Sequence, residues 1–324
     1  MIGTGHSPST NDTARLFEEH RRFLWRLSYR LTGNAADADD ILQETFMRAM
    51  VKPPADRERD WRPWLVRVAV NLGRDILRRR RRLGYTGPWL PSPVEEEPPA
   101  HEPADSGRDP EARYELMESA SVAFLLTLEA LTPMQRAVLL LRDVFDYSVR
   151  ETADACAISE SNVRTTHRRA RAAIAGHESH RSRPTRASVA RGLATLEQFI
   201  ASIAAGDMSA LESLLNENVH FLSDGAGEFN AAITPVVGRK QVAALFLGLA
   251  RMSAPVVASE LRVLNGLPAV VVERQPMPGF ASRFTLQVEM DDKGRLSQIY
   301  IVLASRKLTA VAAPRKPDHE ETPI

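Results

Sequence analysis

Residues Ser148–Ile174 read SVRETADACAISESNVRTTHRRARAAI, and this stretch decides how the chain is read. Ser148 and Glu151 form a Ser-x-x-Glu capping box, the start of a short helix that runs to about Ala155. "CAIS" is a tight turn, and Ser159 stands ready to cap a second helix. At about 100° per residue, Val163, His167, Ala170 and Ile174 share one narrow face, with Thr166 and Ala173 at its edge. Arg164, Thr165, Arg168, Arg169 and Arg171 cover the rest. Alone, this second helix reads equally well as a basic solvated face. After a short helix and a tight turn it reads as the groove-entering half of a helix-turn-helix.

The segment before it is built the same way. In "LTPMQ", Thr132 caps, Pro133 takes the first helical position and Gln135 closes a second capping box. Further upstream, residues 85–111 hold seven prolines, seven acidic side chains and one basic one, and predict an extended acidic linker. Residues 12–84 carry 17 basic and 11 acidic side chains, and residues 163–186 carry seven basic and one acidic. The formal net charge of +1 thus hides two basic regions flanking an acidic strip, a pattern that suits a polyanionic partner.

The first basic region has two helical stretches. "NAADADDILQETFMRAM" opens on Asn34 as N-cap, with Ala38, Leu42, Thr45, Phe46 and Ala49 on one side. Asp37, Asp40 and Glu44 stack opposite, beside Gln43, with Ile41 and Met47 flanking them. That stripe is either a solvated face or a protein-binding face with an apolar border. In "DWRPWLVRVAVNLGRDILRRRRRLG", Trp61, Trp64, Leu65, Val68, Leu72, Ile76 and Leu77 form an apolar stripe. Arg78 to Arg82 go right round the helix, so packing does not explain them, and phosphate contact does. Asn71 either reads a base edge or caps a local backbone group.

From about residue 188 the texture changes. Two helices, "RGLATLEQFIASIAAGD" and "RKQVAALFLGLARM", accompany "VVASELRVL", "PAVVVER", "RFTLQVEM" and "LSQIYIVLA", segments rich in β-branched residues. Asn-Gly, Pro-Gly and Asp-Lys-Gly turns bound them, predicting helices on one face of a curved antiparallel sheet. The lone Cys156 excludes an internal disulfide and a multi-cysteine zinc site. No apolar run is long enough to span a bilayer and no secretory signal is present, so the expectation is a soluble, cytoplasmic chain without metal or cofactor.

Taken together, "DADDILQETFMRA", "WRPWLVRVAVNLGRDILRRRRR" and the helix-turn-helix stretch resemble the core-binding, −10 and −35 segments of sigma-70 family factors, in the short extracytoplasmic-function (ECF) class. "YTGPWLP", "SDGAGEFNAAITPVVGRKQVAALFLGLAR" and "NGLPAVVV" resemble the subgroup with a SnoaL-like C-terminal domain, a cone-shaped fold of the nuclear-transport-factor-2 kind. The resemblance implies a multidomain chain with two all-α sigma domains, the second a helix-turn-helix, and a C-terminal α+β cone. The implied boundaries are a disordered N-terminus (1–11), region 2 (12–84), the acidic linker (85–111), region 4 (112–178), the SnoaL-like domain (188–305) and a flexible tail (306–324).

The resemblance also implies roles. Asp39, Asp40, Gln43, Glu44 and Phe46 would dock on the β′ clamp helices of core RNA polymerase, with the β flap as a further contact. Trp64, Arg67, Asn71, Arg74, Arg78 and Arg79, with the loop from about Pro53 to Asp60, would capture the −10 element as single strand. Arg164, Thr165, Arg168, Arg169 and Arg171 would read −35 duplex. Trp89, Leu90 and Pro91 would anchor the linker, and Asp224, Gly225, Gly227, Glu228 and Lys307 would carry regulation, with a small molecule bound in the cone as one form of switch.

The chain departs from the family pattern in places. His167 replaces a usual Leu, and Cys156-Ala157 replaces Leu-Gly in the turn. Glu228 reverses a charge, and Ala304-Ser305-Arg306-Lys307-Leu308 lacks the usual acid, which suggests a swapped contact from Glu228 to Arg306 or Lys307. Two alternatives stand beside the sigma reading. One is a helix-turn-helix regulator that never acts as a sigma factor. The other is a SnoaL-type cyclase or isomerase with a DNA-binding front half, for which His220, Tyr300 and Asp224 are the available acid–base groups. No catalytic residue is assigned.

Overall fold

Gly33, at φ 68°, ends the first helix, and Asn34 caps the next by accepting from the Asp37 N–H at 3.3 Å. The computed structural model describes residues 10–53, 60–95, 121–175 and 185–316. Most of the Pro53–Asp60 loop, the N-terminus before Thr10, the linker beyond Glu95, the start of region 4 and the last residues of the tail lie outside them. The chain divides into two compact units, residues 1–84 with 108–181, and residues 85–107 with 182–324.

In the first unit, α1 (Thr10–Thr32), α2 (Ala35–Val51) and α3 (Arg62–Leu83) pack on one another. Leu24, Leu27 and Leu31 of α1, Ile41 and Phe46 of α2, and Leu65, Val66 and Val70 of α3 are all buried. Each such side chain stabilises the fold by about 1.5–3 kcal/mol relative to exposure. Gly73 lets α1 and α3 approach, because a Cβ there would stand 2.4 Å from Leu31 Cδ2.

The same unit holds α4 (Val122–Thr127), α5 (Pro133–Leu139), a π-helical segment (Leu140–Val144), α6 (Val149–Cys156) and α7 (Glu160–Ile174). Both expected capping boxes form, Thr132 with Gln135 and Ser148 with Glu151. Ser159 caps α7 through the Asn162 N–H. Val163, Ala170 and Ile174 are the buried stripe of α7, and His167 is half-buried. Regions 2 and 4, expected as separate domains, are joined here. Arg136 is 2% exposed, donates to the Leu31 and Leu128 carbonyls and pairs with Glu129.

The second unit is α8 (Arg186–Ala205), α9 (Met208–Leu214), β1 (Leu215–Asp224), β2 (Val236–Val237), α10 (Arg239–Met252), β3 (Val256–Leu264), β4 (Leu267–Arg274), β5 (Arg283–Met290) and β6 (Leu296–Val302). The strand order is β2-β1-β6-β5-β4-β3. The sheet is mixed rather than antiparallel, because β1 runs parallel to β6, Phe221 opposite Ile299. The single helix α10 carries the chain from β2 to β3 at the far edge of the sheet, and the three reversals from β3 to β6 bring β6 back parallel to β1. One sheet face packs its apolar residues on α8 and α10, where the Phe246 ring meets Phe199 edge-on at 5.0 Å and Phe221 at 5.4 Å. On the other face, Ala269 and Val271 pack with Leu264 and Val311.

Two boundary expectations are corrected. Residues 90–94, read as extended linker, are buried, and Val94 exchanges hydrogen bonds with Asn265 of the Asn-Gly turn. Residues 306–316, read as tail, are packed: Lys307, Leu308 and Val311 are buried and Arg262 holds the Ala312 and Ala313 carbonyls. In both stretches the few apolar side chains and available carbonyls outweigh the polar, proline-rich composition.

Candidate functional site

Three surfaces carry the residues singled out above. On α7, Arg164, Arg168, Arg169 and Arg171 are exposed and Thr165 is partly so. Arg164 pairs with Glu160 at 2.9 Å. His167 Nε2 lies 2.6 Å from one oxygen of Asp143, while Arg171 Nε donates to the other at 2.9 Å. His167 is therefore a satisfied, half-buried histidine.

On α3, Arg67, Arg78 and Arg79 are exposed and Trp64 and Asn71 are partly exposed. Arg78 pairs with Asp75 at 2.7 Å. Arg74 is corrected from −10 contact: it is 7% exposed and donates to Asn71 Oδ1 and to the Cys156 carbonyl, each at 3.1 Å. Burial pushes its guanidinium below the ordinary value, and neighbouring Arg78 adds to the fall. Asn71 thus serves as a local acceptor. The claim that the arginine run plays no part in packing is also corrected. Arg80 Nη2 reaches both Glu129 oxygens, at 2.7 and 2.8 Å, and Arg81 donates to the Leu131 carbonyl.

On α2, Asp39, Asp40 and Gln43 are exposed and Glu44 partly so, with Glu44 paired to Arg48 at 2.7 Å. Asp39 accepts from the Trp25 indole at 2.7 Å. Phe46 is corrected from a docking residue to a core one, 5% exposed with its ring edge-on to Phe17 at 4.7 Å. Ile41 is likewise buried, at 1% exposed, so Met47 and Met50 supply the exposed apolar border.

In the C-terminal unit, Asp224 is fully buried and gathers four donors. Tyr85 Oη at 2.6 Å and the Ala226 N–H at 3.1 Å donate to Oδ1. The Leu90 N–H at 2.7 Å and Lys307 Nζ at 2.6 Å donate to Oδ2. Lys307 Nζ also donates to the Leu90 carbonyl and lies 4.5 Å from the centre of the Trp89 ring and 4.9 Å from that of Tyr85. Leu90 and Pro91 are buried and Trp89 is partly so. Gly225 is needed as glycine, since a Cβ would stand 2.7 Å from the Phe229 carbonyl oxygen. Gly227 has φ 76° in the same turn. The swapped contact suggested for Glu228 is corrected: Lys307 pairs with Asp224, and Glu228 accepts from the Ser305 N–H at 3.1 Å.

The family described as Sigma-70 region 2 matches residues 16–83, and Sigma-70, region 4 matches residues 121–174. The chain is 35% identical over 257 residues to the ECF RNA polymerase sigma factor SigJ of Mycobacterium tuberculosis, covering 77% of this chain and 78% of the relative. The chain belongs to the ECF sigma factors.

A probable ECF sigma factor of the same organism, SigI, is 28% identical over 303 residues, covering 91% of this chain and 94% of that one. The crystal structure of M. tuberculosis SigJ is similar at TM-score 0.65 and 28% identity, covering 92% of this chain and 98% of that one. The sigma factor thus has two helical sigma regions and a C-terminal α+β domain, the multidomain organisation its motifs imply. Among the described residues no helix is long and apolar enough to cross a membrane, and no group of three or more His, Cys, Asp or Glu could hold a metal.

Sequence reading missed Tyr85, Glu129, Arg136 and Asp143 in this sigma factor. Tyr85 was visible as the first residue of "YTGPWLP"; the other three act on partners distant in sequence, as Arg136 does on Leu31.

Proposed function

We propose that this sigma factor docks on core RNA polymerase through the exposed face of α2, bearing Asp39, Asp40, Gln43 and Glu44 with Met47 at its border. Trp64, Arg67, Arg78 and Arg79 of α3 contact the −10 element, and Arg164, Thr165, Arg168, Arg169 and Arg171 of α7 contact −35 duplex. The C-terminal domain modulates this activity in cis. The cis reading rests on one observation: Asp224 and Lys307 hold residues 85–90, the segment that follows α3 directly in the chain. A domain that fixes the exit of the −10 helix acts at high local concentration, with no need for a separate partner. The protein works in the cytoplasm, where promoters and polymerase are.

The C-terminal domain is read as non-catalytic. A general base must be free to take a proton, and Asp224 already accepts four hydrogen bonds. His220 alternates with Phe221 along β1 and so faces away from the apolar interior. A ligand entering the cone would have to displace Phe246 from Phe199 and Phe221.

The test is run-off transcription with bacterial core RNA polymerase, comparing the full chain with its Asp224→Ala variant. Promoter-specific transcripts from the native chain, with yield altered in the variant, are expected. Identical yields remove the cis control, and failure of both proteins to bind core polymerase removes the docking assignment.

A further inference from the structure

Asp143 stands in the π-helical segment Leu140–Val144, where Phe145 N–H reaches back to the Leu140 carbonyl at 3.0 Å. Such insertions re-aim side chains and recur at functional sites. Here the re-aimed carboxylate faces α7 and divides its two oxygens between His167 at 2.6 Å and Arg171 at 2.9 Å. The imidazole and carboxylate are each 23% exposed, while the Arg171 side chain is 66% exposed. Beside them opens a cavity of about 400 Å³ that Arg142, Arg164 and Arg168 also line. Arg142 is tied to the Tyr147 carbonyl and Arg164 to Glu160. The charged and titratable groups around His167 are therefore Asp143 and Arg142 from the π segment and Arg164, Arg168 and Arg171 from α7 itself.

We infer that Asp143 is a specificity-determining positioning residue for duplex reading by α7, a conclusion that rests on the −35 assignment above. A guanidinium on a long stem, left to itself, goes to the nearest phosphate, and phosphate contacts carry no sequence information. Held through Nε, the Arg171 guanidinium has a fixed plane, the condition for reading a base edge or a defined groove geometry. The same carboxylate offsets positive charge at this end of the helix. Non-specific attraction is lowered there, while Arg168 and Arg169 remain exposed on the same helix. His167 serves as the second point of attachment, so the carboxylate cannot swing away with Arg171.

The test uses holoenzyme assembled from the full chain and bacterial core RNA polymerase. Short duplexes with a randomised centre are selected on the native protein, and binding of the selected duplex is compared with binding of poly(dI-dC) over a salt series. Asp143→Asn keeps the shape and one acceptor but removes the charge. The expected result is higher affinity for poly(dI-dC), a salt dependence steeper by about one phosphate contact, and about tenfold poorer discrimination. Asp143→Glu should recover part of that discrimination. A purely structural role would lower both affinities together and lower the melting temperature; that outcome overturns the inference, as does a variant indistinguishable from native. Arg168→Ala is run in parallel. If it leaves both affinities unchanged, α7 does not contact duplex and the −35 assignment falls with the inference. If it weakens binding while Asp143→Asn changes neither discrimination nor salt slope, only the inference falls.

Discussion

Asp224 Oδ2 lies 2.6 Å from Lys307 Nζ across 83 residues of sequence, with the two side chains 0% and 3% exposed. A buried ion pair is not by itself a large source of stability, but removing one partner leaves an uncompensated charge in a low dielectric. Asp224→Ala should therefore destabilise the C-terminal unit by about 3–5 kcal/mol and free residues 85–90. The checks are urea unfolding followed by tryptophan fluorescence, which Trp89 reports, and amide exchange over the segment. Lys307→Met in the same chain should restore much of the loss; if it adds to the loss instead, the pair is not the cause.

Phe46 and Met47 are adjacent, and the fold sends them in opposite directions. Phe46→Ala should cost about 3–5 kcal/mol because it opens a cavity beside Phe17. Met47→Ala, at a position 47% exposed, should change stability by no more than about 0.5 kcal/mol while weakening core polymerase binding. Thermal melts paired with a polymerase pull-down separate the two effects. Loss of polymerase binding from Phe46→Ala at full stability would reverse the assignment.

Burial pushes the Cys156 thiol from its ordinary value of 9.0 up to about 11, against the pull of Arg74. The folded state holds this proton more tightly than the unfolded chain does. The stabilisation is complete below pH 9 and is lost as pH rises toward 11, by at most about 3 kcal/mol. Denaturant titrations across that range should show the alkaline loss in the native protein and a smaller one in Cys156→Ala. Thiol reagents at neutral pH should label the native protein only at the rate at which it opens.

Ala157 occupies a left-handed conformation, φ 55° and ψ 49°, at the C-terminal end of α6. An L-residue with a Cβ pays about 1–2 kcal/mol there, of which a glycine's extra freedom in the unfolded chain gives back part. Ala157→Gly should stabilise region 4 by about 0.5–1 kcal/mol. Chemical denaturation would show this as a higher midpoint at an unchanged slope.

The sequence by itself determined what local chemistry can determine. Capping boxes at Thr132 and Ser148, the caps at Asn34 and Ser159, and the turn at Asn265-Gly266 each depend on neighbours within a few residues. The helices of α3, α6 and α7 and strands β3 to β6 were legible for the same reason, as was the basic character of α3 and α7. The tertiary structure decided which charges are used internally. Arg74, Arg80, Arg81 and Arg136 look like their neighbours on a helical wheel, yet they are committed to Cys156, Glu129, Leu131 and Leu31. It also decided that Phe46 faces inward, that β1 pairs in parallel with β6, and that Asp224 finds Tyr85, Leu90 and Lys307. Those pairings join residues far apart in the chain. Whether an arginine meets a carboxylate or solvent depends on which helix packs opposite it, and no periodicity within one segment encodes that.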